Sequence, residues 1–371
     1  MKEVSKIVLT GGPCAGKTTA LSKIEQFFTA MGYRVIFLAE TATELITGGL
    51  VPWKMQNLDF QIALMTLQKS REKVYENAAD KLPEEKVLLI CDRGALDNKA
   101  YMTGEEFREL LSVLGDNEVD LRDNYGAVFH MVTAADGAVE FYTTENNLAR
   151  TETPEQAIAM DRALVSAWTG HPHLRIIDNS TDFAEKLNRV IREISHFLGE
   201  PIYYEIERKF LIKFPDIHML DSMPDCQKVE IIQTYLVSSD PEAEVRIRQR
   251  GKDGHYIYTK TEKRKVKGES ASAAKRIEIE SRLNRSQYLT LLMDADTNLR
   301  QIRKTRYCLV HERQYLEIDI YPFWNKTAIL EVELTDESAP ISIPDFIKVI
   351  REVTEDESYK NYSLAKDIPA E

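Results

Sequence analysis

The sequence predicts a parallel α/β domain followed by a mostly antiparallel β domain, and three features of the chain lead to this fold class. Short apolar runs alternate with amphipathic helical segments up to residue 198, which is typical of a parallel sheet flanked by helices. Gly199-Glu-Pro201 then ends the last helical segment. Beyond it, charged and apolar residues alternate with a period of two, as in strands with one polar face. We therefore expect one domain at residues 1–200 and a second at 201–371.

The elements of the first domain follow from the spacing of its apolar residues. Continuous apolar runs bounded by glycine or polar residues predict buried strands, and apolar residues three or four positions apart predict helices that bury one face. Strands are expected at 7–10, 35–39, 87–91, 127–132 and 175–177, and helices at 17–31, 57–79, 105–114 and 183–198.

The composition of the 371-residue chain argues against several classes of protein. A formal net charge of -12 disfavours nonspecific binding to nucleic acid or to an anionic membrane. No apolar run is long enough to span a bilayer, and the first apolar stretch is too short for a signal peptide. The 4 cysteines are scattered without a CxxC pair, which argues against a zinc site or a disulfide framework. We expect a cytoplasmic protein with reduced thiols and no membrane partner.

A glycine-rich segment between the first strand and the first helix fits the phosphate-binding pattern G-x4-G-K-[ST]. Its glycines let backbone N–H groups turn toward phosphate oxygens, and the following helix directs its positive end to the same place. Lys17 is expected to bridge the β- and γ-phosphates of ATP or GTP, and the Thr18 hydroxyl to ligate Mg²⁺. The candidate nucleotide-binding residues of this segment are Gly11, Gly12, Ala15, Gly16, Lys17, Thr18 and Thr19.

Three further residues are candidates for the same site. Asp92 ends an apolar strand, as the Walker B acid does, and is expected to bind nucleotide through Mg²⁺. Glu40 ends another strand, where it either contacts a substrate or caps the next helix. Arg150 lies in a polar stretch and is either a lid arginine that stabilises the transferred phosphate or a solvated loop residue.

This half of the chain resembles AAA-type, kinase-like P-loop domains, including the ribosylnicotinamide kinase domain. The resemblance covers about residues 4–198 and rests on GGPCAGKTT, LAETAT, ICDRG and the segment from WTGHPHL to IIDNS. Asp92-Arg93-Gly94 is similar to the DR motif of nucleoside and nucleotide kinases. The resemblance implies ATP or GTP binding and a small-molecule acceptor that the sequence does not identify.

In the second half, each strand carries charges mainly of one sign on one face. Glu205, Glu207 and Lys209 form an E-x-E-x-K pattern whose paired carboxylates suit Mg²⁺ or Mn²⁺. Further acidic pairs are Glu278/Glu280, Glu317/Asp319 and Glu331/Glu333, and the basic residues are Arg246, Arg248, Lys260, Lys304 and Arg306. Any one pair would suit the solvated face of a sheet. Facing together into a closed barrel, they would hold metal on an acidic side and phosphates on a basic side, as in a tripolyphosphate pocket.

These segments resemble the CYTH domain of the triphosphate tunnel metalloenzyme family over about residues 202–366, from EIERKFLI to SYKNYSLA. The resemblance implies an α+β domain built on an eight-stranded antiparallel β tunnel that binds triphosphates with a divalent metal. It assigns metal binding to Glu205, Glu207 and Glu331 or Glu333, and phosphate binding to Arg246, Arg248, Lys260, Lys304 and Arg306. Lys209 and Lys360 would add contacts at the tunnel ends. Asp319, Glu278 and Glu280 would hold a second metal or orient the attacking water.

The combined expectation is a two-domain phosphate-transfer enzyme. Its tunnel would hydrolyse tripolyphosphate or a nucleoside triphosphate with Mg²⁺ or Mn²⁺, and its P-loop domain would act as a small-molecule kinase or as an NTPase. Two alternatives stay open: an adenylate cyclase tunnel, and a regulator whose tunnel senses polyphosphate or nucleotide. Hydrolysis of RNA 5′-triphosphates is disfavoured by the acidic balance of the chain.

Overall fold

The computed structural model describes residues 3–139, 153–200, 206–238, 243–265, 276–334 and 340–369. The chain divides into two compact units, Met1–Glu200 and Pro201–Glu371. None of the described helices is long and apolar enough to cross a membrane.

A parallel sheet of five strands lies at the centre of the first unit. The strands are β1 (Glu3–Gly11), β2 (Arg34–Leu38), β3 (Lys86–Asp92), β4 (Ala127–Met131) and β5 (Leu174–Ile177). The helices are α1 (Lys17–Ala30), α2 (Thr41–Thr47), α3 (Asn57–Ala79), α4 (Gly104–Leu114), α5 (Glu118–Arg122), α6 (Pro154–Trp168) and α7 (Phe183–Phe197). The sheet order is β2-β3-β1-β4-β5, so the carboxyl end of β1 lies between those of β3 and β4. In an open α/β sheet, this central crevice is where ligands bind.

The parallel α/β fold of the first unit is confirmed, and its expected strands and helices are present. The first strand begins at Glu3 rather than at residue 7, and α6 was not expected at all. Its buried apolar residues are Ala157, Leu164, Ala167 and Trp168, and its start signal is clear. Thr153 and Gln156 form a capping box, with Pro154 at the first helical position.

The second unit is built on one antiparallel sheet. Its strands are β6 (Ile206–Lys213), β7 (Gln227–Tyr235), β8 (Ala243–Lys252), β9 (His255–Lys265), β10 (Arg276–Leu283), β11 (Ile302–His311), β12 (Gln314–Ile320), β13 (Thr327–Leu334) and β14 (Val349–Glu352). Its helices are α8 (Ile217–Ser222), α9 (Arg285–Leu291) and α10 (Asn361–Lys366). The described strands follow the order β10-β9-β8-β7-β11-β12-β13-β6-β14.

The large antiparallel sheet confirms the fold class of the second unit, with nine described strands where eight were expected. The additional strand is β14, which has 4 exposed residues and pairs with β6 through a register shift. A strand this short cannot show a convincing alternation of polar and apolar residues, so it escapes prediction from sequence.

The two faces of this sheet differ in polarity. Arg306 lies opposite Asp319, Glu317 opposite Glu331, and Glu331 opposite Lys209, so the register brings these charges onto one face, here called the charged face. The other face is apolar, and Leu220 of α8 packs there. Its buried residues include Phe210, Ile212, Leu309, Leu316, Ile318, Leu330 and Val332.

An apolar cluster, here called the end cluster, lies at one end of the charged face. It contains Leu211 of β6 and Tyr235 of β7, although three strands separate β6 from β7 in the sheet. Its buried members are Leu211, Tyr235, Ile302, Tyr321, Trp324, Ile329, Val353, Tyr359, Leu364 and Ala365.

Candidate functional site

The phosphate-binding loop connects the end of β1 to the start of α1. Gly11 has a φ of +148°, and a side chain there would lie 2.1 Å from the Met131 backbone oxygen. Gly16 has a φ of +91° and directly precedes α1, so the free N–H groups of the first helical turn face the loop. Thr18 and Thr19 are exposed in that turn, whereas Ala15 is buried. The loop and helix together provide an anion-binding site.

Lys17 is held at the loop by a backbone contact. Its Nζ donates a hydrogen bond to the Gly11 oxygen at 3.2 Å. Burial and the positive charge of Arg93 lower the pKa of Lys17 to about 8, although Asp92 and Glu40 act in the opposite direction. A bound phosphate would therefore stabilise the charged ammonium group of Lys17, because its negative charge would offset the loss of hydration on burial.

Asp92 lies at the carboxyl end of β3, paired in register with Leu9 of β1. Burial raises the pKa of Asp92, and the charge of Lys17 opposes this increase. Its Oδ1 is buried and has no hydrogen-bond partner within the described residues. A carboxylate oxygen of this kind is a suitable Mg²⁺ ligand when nucleotide phosphates supply others. The residues present thus fit the expected Mg²⁺ site, with Thr18 as the second protein ligand.

Glu40 precedes α2, but its side chain does not cap that helix. It accepts hydrogen bonds from Arg93 Nε at 2.6 Å and from the Thr43 hydroxyl at 2.7 Å. Burial opposes ionisation, but the charge of Arg93 and the hydroxyl of Thr43 hold the pKa of Glu40 below its usual range. Of the two interpretations of Glu40, the helix cap is not supported, and a charged side chain near Lys17 is what the structure presents.

Sequence reasoning missed three residues that bind the loop. Asp161 of α6 accepts a hydrogen bond from the Gly12 N–H, and Lys186 of α7 donates one to the Ala15 oxygen. The hydroxyl of Thr133, just after β4, donates to the Pro13 oxygen. No local motif marks these residues, because each comes from a distant element. Arg150, the candidate lid arginine, lies outside the described residues.

Arg306 has the most contacts on the charged face. Its Nε and Nη2 each donate to Asp319 at 2.7 Å, and Nη2 also donates to Glu331 at 2.5 Å. Its Nη1 binds Glu317, and the neighbouring Lys304 Nζ binds Asp319 as well. Asp319 is 0% exposed. Asp319 thus contacts two cations, and its expected role in binding a second metal or orienting water stays a prediction.

Lys209 joins two of the expected metal ligands. Its Nζ donates to Glu331 at 2.6 Å and also contacts Glu207. Burial opposes ionisation of Glu331, but Lys209, Lys304 and Arg306 hold the pKa of Glu331 well below its usual range. Burial and the adjacent Arg306 lower the pKa of Lys304, although Asp319 and Glu331 oppose this. The charged face is thus densely ionic, with its cations and carboxylates neutralising one another.

Two of the expected metal ligands on the charged face, Glu207 and Glu331, lie on neighbouring strands. Within the described residues, no group of three His, Cys, Asp or Glu side chains could hold a metal. Glu207 and Glu331 converge on Lys209, and Mg²⁺ is commonly held by only one or two carboxylates together with substrate phosphates. This pair therefore fits a divalent metal that arrives with a phosphate substrate. Glu205 and the side chain of Glu333 lie outside the described residues.

A second basic group lies on β8. Arg246 pairs with Tyr235 and Arg248 with Gln233, which places both arginines on the charged face, two strands from β11. Arg250 follows on the same face and is buried, although it was not among the sequence candidates. The alternation of Arg246, Arg248 and Arg250 with apolar and polar residues already places all three on one face of the strand.

Lys260 is the basic candidate that the structure separates from the others. It pairs with Ile247, whose side chain is buried in an apolar cluster on the opposite face from Arg246 and Arg248. The turn at Asp253 and Gly254, with φ values of 53° and 85°, sets this pairing. An Asp-Gly pair is a strong two-residue hairpin signal, so counting outward from it would have predicted the face of Lys260.

The remaining candidates belong to other elements and have other partners. Lys360 binds Glu357 and precedes α10. Glu280 is exposed and accepts a hydrogen bond from the Thr261 hydroxyl at 3.1 Å. The side chain of Glu278 lies outside the described residues, although its backbone belongs to β10.

Comparison with known proteins identifies both halves of the chain. Residues 6–186 match the model of an AAA domain, and residues 203–361 match the model of the CYTH domain. An inorganic triphosphatase of Nitrosomonas europaea is 32% identical over 168 residues, which are 44% of this chain and 99% of that protein.

Two solved structures are also similar to parts of the chain. One is an inorganic triphosphatase, with 29% identity over 46% of this chain and 99% of its own, and a TM-score of 0.31. The other is deoxyadenosine kinase from M. mycoides with bound dATP, with 15% identity over 52% of this chain and 99% of its own, and a TM-score of 0.38. Through the domain at residues 203–361, which follows an AAA-type domain at 6–186, the chain belongs to the CYTH family.

Proposed function

We propose that the second unit is a metal-dependent inorganic triphosphatase that acts on tripolyphosphate. The observation that carries the proposal is the cluster in which Lys209, Lys304 and Arg306 meet Glu207, Glu331 and Asp319 on the charged face. The same activity is supported by the inorganic triphosphatase of Nitrosomonas europaea, which this chain matches over 99% of that protein's length with 32% identity.

The charge of the substrate explains why this face suits it. A tripolyphosphate carries about four negative charges, which must be neutralised before water can approach phosphorus. Its oxygens would replace the contacts that Arg306 makes with Glu317 and Glu331, while Asp319 keeps Arg306 and Lys304 in position. Arg246 and Arg248 would bind the phosphates from β8.

Glu207 and Glu331, with Glu205 and Glu333, are the residues that would hold the metal. Mg²⁺ or Mn²⁺ bound there supplies charge neutralisation and activates the phosphate for attack. Lys209, which now contacts both Glu207 and Glu331, would turn to the substrate once those carboxylates bind cation. Such exchange keeps each buried charge paired before and after binding, which limits the cost of desolvation.

We propose that the first unit binds ATP or GTP with Mg²⁺ through Lys17, Thr18 and Asp92. The γ-phosphate would pass either to a small-molecule acceptor, as in a kinase, or to water. The buried Asp92 oxygen and the lowered pKa of Lys17 support a site made for an anion and a cation together.

Product analysis on the full chain tests both proposals. Tripolyphosphate and ATP are supplied separately with Mg²⁺ or Mn²⁺, and phosphate, pyrophosphate, ADP and cyclic AMP are resolved. Phosphate release from tripolyphosphate should survive Lys17→Ala and be lost in Glu207→Gln, with Glu352→Gln as an exposed carboxylate control. Cyclic AMP with pyrophosphate would replace the triphosphatase with a cyclase. Binding of tripolyphosphate without turnover would indicate a sensor.

A further inference from the structure

Asp161 has an unusual position beneath the phosphate-binding loop. It is 5% exposed, and its Oδ1 accepts hydrogen bonds from the N–H groups of Gly12 at 2.8 Å and Thr133 at 3.0 Å. Its Oδ2 lies 3.1 Å from His130 Nε2 of β4. Burial opposes ionisation, but His130 and the two N–H groups hold the pKa of Asp161 below its usual range. A buried, charged carboxylate therefore accepts a hydrogen bond from the backbone of the loop.

The hydrogen bond between Asp161 and the Gly12 N–H also affects the position of Lys17. The Gly12 N–H and the Gly11 oxygen belong to one planar trans peptide unit, so they point in opposite directions. Asp161 holds the N–H side of this unit, and Lys17 Nζ donates to its oxygen at 3.2 Å. The orientation of the Gly11–Gly12 peptide thus couples Asp161 to the position of the Lys17 ammonium group.

Lys186 holds the other end of the loop. It is 2% exposed, and its Nζ donates to the oxygens of Ala15 at 3.2 Å, Val132 at 2.6 Å and the Asn179 side chain at 2.7 Å. The Ala15 oxygen and the Gly16 N–H share a peptide unit, so drawing the oxygen toward Lys186 turns this N–H away from it. Lys186 thereby fixes the direction of the last loop N–H before α1.

We propose that Asp161 and Lys186 are positioning residues of the nucleotide site, which set Lys17 and the Gly16 N–H in the phosphate-binding orientation. This inference rests on the nucleotide binding proposed above. Both residues act on peptide units of the loop rather than on the ligand. They come from α6 and α7, so the conformation of the loop depends on the packing of these two helices against the sheet. Preorganised N–H donors bind an anion without a cost of reorganisation.

The test is the dissociation constant of ATP with Mg²⁺, measured by calorimetry on the full chain, together with the melting temperature. Asp161→Ala and Lys186→Met should each weaken ATP binding about 10- to 100-fold, since the first removes two buried hydrogen bonds and the second removes three. Asp161→Asn keeps an acceptor for both N–H groups and should bind within about threefold of the wild type. Glu193→Gln is the matched control, because Glu193 is a buried charge on α7 that binds Arg175.

The outcomes separate positioning from stability. Asp161→Asn loses the carboxylate charge that strengthens the hydrogen bonds from the Gly12 and Thr133 N–H groups, so it should lower the melting temperature while preserving ATP affinity. Equal ATP affinity in the wild type and Asp161→Ala would overturn the inference and leave nucleotide binding intact. A loss of affinity in Glu193→Gln as large as that in Lys186→Met would also overturn it, by showing a general structural effect. If the wild type binds neither ATP nor GTP, both the proposed nucleotide site and this inference are wrong.

Discussion

Replacing Asp319 with asparagine removes the carboxylate that holds two buried cations on the charged face. Asp319 is 0% exposed and accepts hydrogen bonds from Lys304 and from Arg306, the latter through Nε and Nη2 at 2.7 Å each. Asparagine has the same shape but no charge, and its amide group presents a donor to two donors. Lys304 then stays buried without the carboxylate that it contacts, and Arg306 keeps its contacts with Glu317 and Glu331.

The expected cost follows from that burial. Removing one partner of a buried ion pair typically costs about 3–5 kcal/mol, because the remaining charge stays desolvated. For a unit of this size, each kcal/mol lowers the melting temperature by about 2–4 °C. The Asp319→Asn protein should therefore melt about 6–20 °C below the wild type.

Glu352→Gln is the matched control for this experiment. Glu352 also accepts two hydrogen bonds from one arginine, Arg208, but its side chain is 41% exposed. An exposed pair contributes about 0–1 kcal/mol, so this variant should melt within about 4 °C of the wild type. Both changes lie in the second unit and are compared by scanning calorimetry on the same transition. Equal shifts in the two variants would refute the view that Asp319 neutralises buried cations.

Three further predictions concern the two sites. Because the pKa of Lys17 is lowered to about 8, this side chain loses its proton as the pH rises through 8, and the dissociation constant of ATP should rise up to about tenfold per pH unit there. A Lys17→Arg protein that showed the same rise would assign it to another group. Arg248→Ala should lower the rate of tripolyphosphate hydrolysis at least about tenfold, whereas Lys260→Ala, on the opposite face, should change it less than about twofold; similar rates in the two variants would contradict the register. Gly12→Ala places a Cβ 2.6 Å from Asp161 Oδ1 and should weaken ATP binding while tripolyphosphate hydrolysis continues, and normal ATP affinity would show that the loop adapts.

The phosphate-binding loop shows which features are predictable from sequence. Strand, glycines, lysine and helix follow one another within a short segment, so their contacts are local and the pattern predicts them. The helix expected at 17–31 is observed at Lys17–Ala30. Asp161 and Lys186 reach the same loop from distant helices, and nothing near them in sequence indicates that contact. Only the packing of the α/β layers brings them there.

The charged face shows a different limit. Alternation predicts which side chains of one strand share a face, and it does so correctly for Arg246 and Arg248. It does not predict which strands are neighbours, so the pairing of Arg306 with Asp319 required the sheet order. Once these strands are adjacent, the buried carboxylate is drawn to the two cations beside it. The contacts of Asp319 with Lys304 and Arg306 therefore follow from the order of the strands, which alternation alone does not predict.

The end cluster has a consequence for how the second unit is made. It joins Leu211, near the beginning of the unit, to Leu364 and Ala365, near its last described residues. On the ribosome, the early strands would emerge long before these partners are available, and contacts over such separations are slow to form. The core of the first unit also joins distant residues, Ile7 and Leu198, but all of it lies before residue 201 and is synthesised first. We therefore expect the first unit to fold during translation while the second is still incomplete. The nascent chain would then bind nucleotide before it could bind tripolyphosphate.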